Sequence, residues 1–122
     1  MKVSFLSMDD QKNKVYFVAD ASFKDNVLSF VDKSCEHTQI TMTLEEDRIT
    51  LARTGLVQME MAFELEHFTP GAYQNEEGLE FTFKIFCKRL SIQKKRMIIQ
   101  YDMLLDQQIL SSHTLSVTIL DK

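Results

Sequence analysis

The sequence predicts an all-β protein: a single antiparallel up-and-down β-barrel of about eight strands spanning residues 1–122. Three observations carry this. From Ile49 to Phe63 every second residue belongs to one row, Ile49, Leu51, Arg53, Gly55, Val57, Met59, Met61 and Phe63, and the residues between are mostly polar or small. Side chains of a strand alternate faces, so such a run reads as a half-buried β-ribbon rather than a helix. Alternating runs of this kind recur along the chain with short polar breaks between them. Only 3 glycines and 1 proline are present, so Asp, Asn, Gln and Lys must make most of the turns.

The elements follow in order. Residues 3–8 form the first run, and Asp9-Asp10-Gln11-Lys12-Asn13 breaks it. In residues 14–20, Val15, Phe17 and Ala19 alternate with Tyr16, Val18 and Asp20. Lys24-Asp25-Asn26 turns the chain into residues 27–31. Residues 21–33 also fit a helical period, but hairpin chemistry fits them better. Ile40, Met42 and Leu44 alternate with Gln39, Thr41, Thr43 and Glu45, and Glu46-Asp47 closes a hairpin into the long ribbon. Gly55 inside that ribbon marks a bulge, a bend or a close backbone approach. It is expected either to divide the run into two strands or to bend one around a barrel corner. Residues 66–78, with Pro70 and two glycines, read as the longest irregular stretch. Leu79, Phe81, Phe83, Ile85 and Cys87 then alternate, but Leu90 and Ile92 are out of phase. One extra residue between Phe86 and Arg89 explains the slip. Gln93-Lys94-Lys95 leads into Met97, Ile99, Tyr101, Met103 and Leu105. Asp106-Gln107-Gln108 leads into the last run, with Leu115, Val117 and Ile119 inward. Antiparallel strands in this number form a barrel or a sandwich, and the long ribbon with its internal glycine favours the barrel.

Bulk composition narrows the function classes. The length of 122 residues is that of one domain, large enough to bury about two-thirds of its unfolded surface. A net charge of -4 argues against nucleic acid as a partner and against an anionic membrane surface. The one basic cluster, Lys94-Lys95-Arg96 near Lys88 and Arg89, reads as a solvated turn. No apolar run reaches the ~18 residues of a membrane helix, and the start shows no signal-peptide pattern. The expectation is a cytoplasmic protein with Cys35 and Cys87 reduced.

Motifs of chemistry are weak. No G-x-S-x-G elbow is present, and Cys87 has no predictable His partner. Cys35-Glu36-His37 lacks a second ligand pair at zinc spacing, so no metal or other cofactor is expected. Glu45-Glu46-Asp47 and Glu76-Glu77 fall in turns, where acids are usually solvated. Three isolated glycines cannot write a phosphate-binding loop. Four inward-phase residues are not aliphatic: Arg53, Cys87, Tyr101 and His113. An arginine in an apolar interior needs a carboxylate, carbonyls or a ligand anion. Arg53, Tyr101 and His113 are therefore the candidate ligand-binding residues, with an amphipathic tail among the Phe and Met side chains. The structural reading of the same residue has Arg53 reach the barrel end and pair with an acid or with carbonyls near Gly55. Tyr101 then becomes a core aromatic and His113 a strand-end residue.

The second half of the chain resembles the YwiB-like proteins of low-GC Gram-positive bacteria. Arg53-Thr54-Gly55 matches an R-x-G element, followed by Met59 and Phe63. Gly71-Ala72-Tyr73 followed by a turn ending at Gly78 matches a G-x-Y element, and Tyr101-Asp102-Met103-Leu104 a Y-x-L-like strand. Residues 111–119 match a terminal strand with Ser and alternating aliphatics. Asn75-Glu76 stands where that family has Thr-Pro, and Cys87 about where it has Thr. The resemblance implies a calycin-like (lipocalin-like) barrel and lends no catalytic residues. Two functions follow as expectations. One is a non-catalytic binder of a small amphipathic or anionic ligand inside the barrel. The other is a filled-core interaction module that pairs with a partner or with itself as a homodimer. A hollow or a solid interior discriminates between them.

Overall fold

The structure, a computed structural model, describes residues 1–120. Ten strands follow one another: β1 (Lys2–Asp9), β2 (Lys14–Lys24), β3 (Val27–Val31), β4 (Gln39–Leu44), β5 (Arg48–Thr54), β6 (Gln58–Glu64), β7 (Phe68–Gln74), β8 (Glu80–Ile92), β9 (Arg96–Leu105) and β10 (Gln108–Leu120). Each pairs antiparallel with its neighbour in sequence. The barrel closes where β1 meets β10, with Val3 opposite Ile119 and Phe5 opposite Val117. The predicted fold class holds. No helix is long and apolar enough to cross a membrane.

The strand count is ten rather than about eight, for two reasons. The ribbon of residues 49–63 is a hairpin, because Gly55, Leu56 and Val57 turn the chain between β5 and β6. The stretch read as irregular contains β7, hidden by Pro70 and Gly71. A strand can hold that proline because the missing donor is replaced. The register that sets Met61 opposite Gly71 brings Pro70 opposite Ala62. Pro70 has no N–H to give, and the Thr69 hydroxyl donates to the Ala62 carbonyl instead. Gly71 lies under the ring of Phe83, its partner on β8. A Cβ there would sit 2.3 Å from a ring carbon.

Local chemistry explains the other junctions. Asp25 and Asn26 both have positive φ (53° and 65°), as do Asp106 and Gln107 (52° and 67°). Two-residue turns of this handedness match the twist of a hairpin and favour Asp and Asn. On β8 the expected slip is a bulge. Cys87 faces Tyr101 and Arg89 faces Gln100, leaving Lys88 as the extra residue. Lys88 uses its freedom on the outer face, where Nζ lies 2.8 Å from Oδ1 of Asp102.

The interior is filled. Phe5, Phe17 and Phe30 cluster with ring centroids 5.0 to 6.1 Å apart, and Leu28, Ile40, Met42, Ile49, Ile85 and Ile99 are inaccessible to solvent. In the β5–β6 hairpin Ile49, Leu51, Met61 and Phe63 are buried, while Gln58 and Glu60 are exposed. Val57 and Met59, expected to be buried, are half-buried, because the inward row runs out toward an open end of the barrel.

Candidate functional site

The up-and-down order gathers residues 10–13, 32–38, 55–57, 75–79 and 106–107 at one end of the barrel. Arg53 lies there, at the end of β5. Ile49 and Leu51 fix its phase as inward, and its side chain is 27% exposed. Its Nε lies 3.1 Å from Oδ2 of Asp32, whose side chain is completely buried. The Arg53 N–H is not aimed at that oxygen, so the contact is Coulombic rather than a directed hydrogen bond. The other oxygen, Oδ1, accepts from the Ser34 N–H at 2.9 Å and from the Ser34 hydroxyl. Gly55 lets the two parts meet. A Cβ on it would fall 2.3 Å from the His37 carbonyl oxygen, so only glycine allows the β5–β6 turn to rest on the loop carrying Asp32.

Asp32 supplies the anion for which the sequence reading considered a ligand. It was missed as a partner, yet it carried a signal. Leu28, Phe30 and Asp32 share one inward phase, the last a single step beyond the strand.

Tyr101 and His113 lie opposite each other on β9 and β10 and stack, with ring centroids 5.0 Å apart and planes 17° from parallel. The ring of Phe63 also packs on Tyr101, tilted by 52° with centroids 4.8 Å apart. Burial pushes the Tyr101 hydroxyl up to about 12, and the Arg53 charge pulls it partly back. Arg53 therefore acts electrostatically on Tyr101 while keeping its close contact with Asp32. Burial also pushes the His113 imidazole below its usual range, against the opposing pull of Asp9, Asp10 and Asp102. His113 Nε2 lies 2.7 Å from the Ser111 hydroxyl. The pair does not extend to a triad through Asp9, the residue opposite His113 on β1. The Asp9 oxygens accept instead from the Gln11 and Asn13 backbone and the Asn13 side chain. Cys87, opposite Tyr101, is buried, and burial raises its thiol. It donates to the Arg89 carbonyl at 3.3 Å. Both Cys35 and Cys87 are free. Among the described residues no group of three His, Cys, Asp or Glu side chains is placed to hold a metal ion.

Beyond Arg53 the inward row leaves the core. Met59 faces Arg53, Tyr73 faces Met59 and Phe81 faces Tyr73, the last two with ring centroids 6.1 Å apart. Met59 and Tyr73 are half-buried and Phe81 is 53% exposed. A cleft of about 270 Å³ touches Arg53, Met59 and Tyr73 of this row. The rest of its lining, including Ala52, Gln58, Glu60, Ala72, Gln74 and Glu80, belongs to the alternate, outward row, so the cleft lies against the outer face of β5–β7 near the barrel end. Sequence alternation places Phe81 in the core, whereas Tyr73 falls in the stretch read as irregular. Phe81 is uncovered because the pairing of β8 with β9 begins only at Lys84.

A family model described as "Domain of unknown function (DUF1934)" matches residues 3–117. The chain belongs to this family. Among solved structures, the DUF1934 barrel is similar to the crystal structure of the ywiB protein from Bacillus subtilis. The two are 20% identical, with a TM-score of 0.70 over 96% of this chain and 86% of that one. At that identity the likeness is one of fold, and it bears out the resemblance carried by residues 53–119. None of the curated proteins matches the chain.

Proposed function

We propose that this DUF1934 protein is a non-catalytic binder of a small amphipathic molecule, held against the outer face of β5–β7 beside the open end of the barrel and not at its centre. The carrying observation is the row Arg53–Met59–Tyr73–Phe81. It continues the inward phase of the core yet is incompletely buried, and Arg53, Met59 and Tyr73 line a cleft of about 270 Å³ whose other walls are outer-face residues. That volume is slightly below the usual scale of ligand pockets, which suits a short chain or a single ring. Charge selects the head group. Arg53 is already matched by Asp32, and Glu60 and Glu80 add negative charge to the lining. The reading therefore favours a hydrogen-bonding head without net negative charge, with the Gln58 and Gln74 amides as partners, over the anionic head considered from sequence.

Titration calorimetry with octyl glucoside, octyltrimethylammonium and octanoate tests this below their micellar concentrations. Saturable binding of the neutral or cationic probe at one site, weakened by Met59→Gln and Tyr73→Ser, is expected. Equal binding of octanoate, or binding indifferent to both substitutions, would overturn it. Native mass spectrometry of protein purified from its own host then reads the mass of any retained molecule.

The filled core also favours a second reading, an interaction module working from the outside. Phe68 on β7 is 63% exposed and meets Phe86 on β8, ring centroids 4.9 Å apart, on the outer face. Loss of a host partner on Phe68→Ser, with octyl-probe binding unchanged, would select this reading.

A further inference from the structure

The barrel is closed, but its pairing leaves one long strand edge open. Residues 14–20 of β2 pair with β1, whereas the pairing of β2 with β3 covers only residues 21–24. Among the described residues this is the longest stretch of strand with a neighbour on one side only. Two backbone bonds fix its phase. The Asp9 N–H donates to the Asn13 carbonyl, and the Ala21 N–H to the Met1 carbonyl. The odd-numbered residues of β2 thus serve the ladder to β1. The even-numbered ones, Lys14, Tyr16, Val18 and Asp20, turn their N–H and C=O groups to the open side. Phe17 and Ala19 point into the core, so the Tyr16 and Val18 side chains stand on the outer face, Tyr16 at 60% exposure. An open edge of this kind is a template for another strand.

We infer that this edge is the joint of a homodimer in which two copies of residues 14–20 pair antiparallel about Phe17. The sequence of the edge is complementary to itself in that register. Lys14 of one copy faces Asp20 of the other, and Asp20 faces Lys14. Tyr16 faces Val18 twice, an aromatic against a β-branched side chain on the same face. The pairs that exchange backbone bonds in this register, Lys14 with Asp20 and Tyr16 with Val18, join even-numbered residues, the ones whose backbone groups face the open side; Val15–Ala19 and Phe17–Phe17 fall between them. A shift by two residues would keep the backbone bonds but lose both charge pairs, so the charges select the register. Lys14 makes no ion pair among the described residues. Asp20 is 87% exposed at its side chain and pairs with Lys2, itself 54% exposed, at 2.8 Å, an exposed ion pair weak enough to be exchanged for Lys14 of the second copy. The inference is independent of any ligand at the open end.

Sedimentation velocity on the full chain tests it. The wild type is expected to sediment as a concentration-dependent dimer. Lys14→Asp sets like charges opposite each other at both ends of the joint and should weaken the dimer roughly tenfold or more. Asp20→Lys should do the same. An equimolar mixture of these two variants restores opposite charges at both positions and should form a heterodimer. Val18→Pro deletes an N–H on the open side without touching the ladder to β1, and should leave a folded monomer. Circular dichroism melts confirm that each variant is folded. A wild type that stays monomeric at hundreds of micromolar overturns the inference. So does a dimer that survives both Lys14→Asp and Val18→Pro, or a mixture that fails to associate.

Discussion

Asp32 is the most exacting residue in the molecule. Its carboxylate is wholly buried, and the charge nearest to it is the guanidinium of Arg53. Removing one partner of a buried pair leaves the other uncompensated, which costs far more than the pair gains over an apolar replacement. Arg53→Met is therefore expected to destabilise the protein by about 3 kcal/mol, the low end of the range for such pairs, since Arg53 is partly exposed. Asp32→Asn in the same chain should recover part of the loss. Urea denaturation of the two single variants and the double variant measures both. A melting profile unchanged by Arg53→Met would mean that Asp32 is satisfied by Ser34 alone. His113 sets a pH dependence of defined sign. Its imidazole is depressed in the folded state by burial, so below the ordinary value near 6.5 the unfolded chain takes up the proton first. The neutral ring's contribution is complete above that value and declines as the pH falls toward the folded-state pKa. His113→Gln should flatten the decline in denaturation midpoint between about pH 7 and pH 5. The depressed carboxylate of Asp102 loses its contribution only at lower pH, as it protonates below its ordinary value near 3.8. There burial works against the charged form, and the Lys88 and Ser112 hydrogen bonds outweigh it.

Among the elements, β7 and β8 show what alternation reveals and what it hides. The β8 bulge was legible, since one inserted residue must reverse every later side chain and Leu90 and Ile92 are displaced in that way. The turns at Asp25-Asn26 and Asp106-Gln107 were legible from turn chemistry alone. β7 was not legible, because its two disqualifying residues are compensated across strands. The Thr69 hydroxyl replaces the missing proline donor, and the Phe83 ring fills the space over Gly71. Neither compensation can be read until the register is known. Gly71→Ala should cost about 1–3 kcal/mol, because the ring must swing away from a position now occupied by the added methyl. In a Phe83→Ala background the same substitution should cost little. A double-mutant cycle with no coupling between the two positions would refute this account of the strand.

For the whole molecule, the class of fold, the inward rows and the end of the barrel that holds Arg53 all follow from period-two alternation. The candidate site was only half legible. Arg53, Tyr101 and His113 were marked by being polar or aromatic in an apolar phase, and the fold brings them toward one end. Asp32 escaped because it lies just past its strand, where alternation no longer assigns faces. Tyr73 escaped because its strand read as irregular, and the openness at Phe81 because exposure at a barrel end depends on where the neighbouring strand stops, which no single run of sequence contains.

Of the ten pairings around the barrel, nine join strands consecutive in sequence and one joins the first to the last. The nine can form as local hairpins with short loops to close. The tenth must bring residues such as Phe5 and Val117 together across nearly the whole chain. Loop-closure entropy makes that seam the natural last event of folding, a clasp fastened on an already curled sheet. Val117, fully buried at the seam, reports on it. Val117→Ala should speed unfolding in stopped-flow measurements and leave the folding rate nearly unchanged, whereas Leu51→Ala in the β5–β6 hairpin should slow folding as well. A fall in folding rate for Val117→Ala that matches its loss of stability would place the seam at the start of folding instead. If the clasp does fasten last, the barrel can open there transiently without losing its other nine pairings. Its buried rows would then be briefly accessible through a slit along its side as well as through its end.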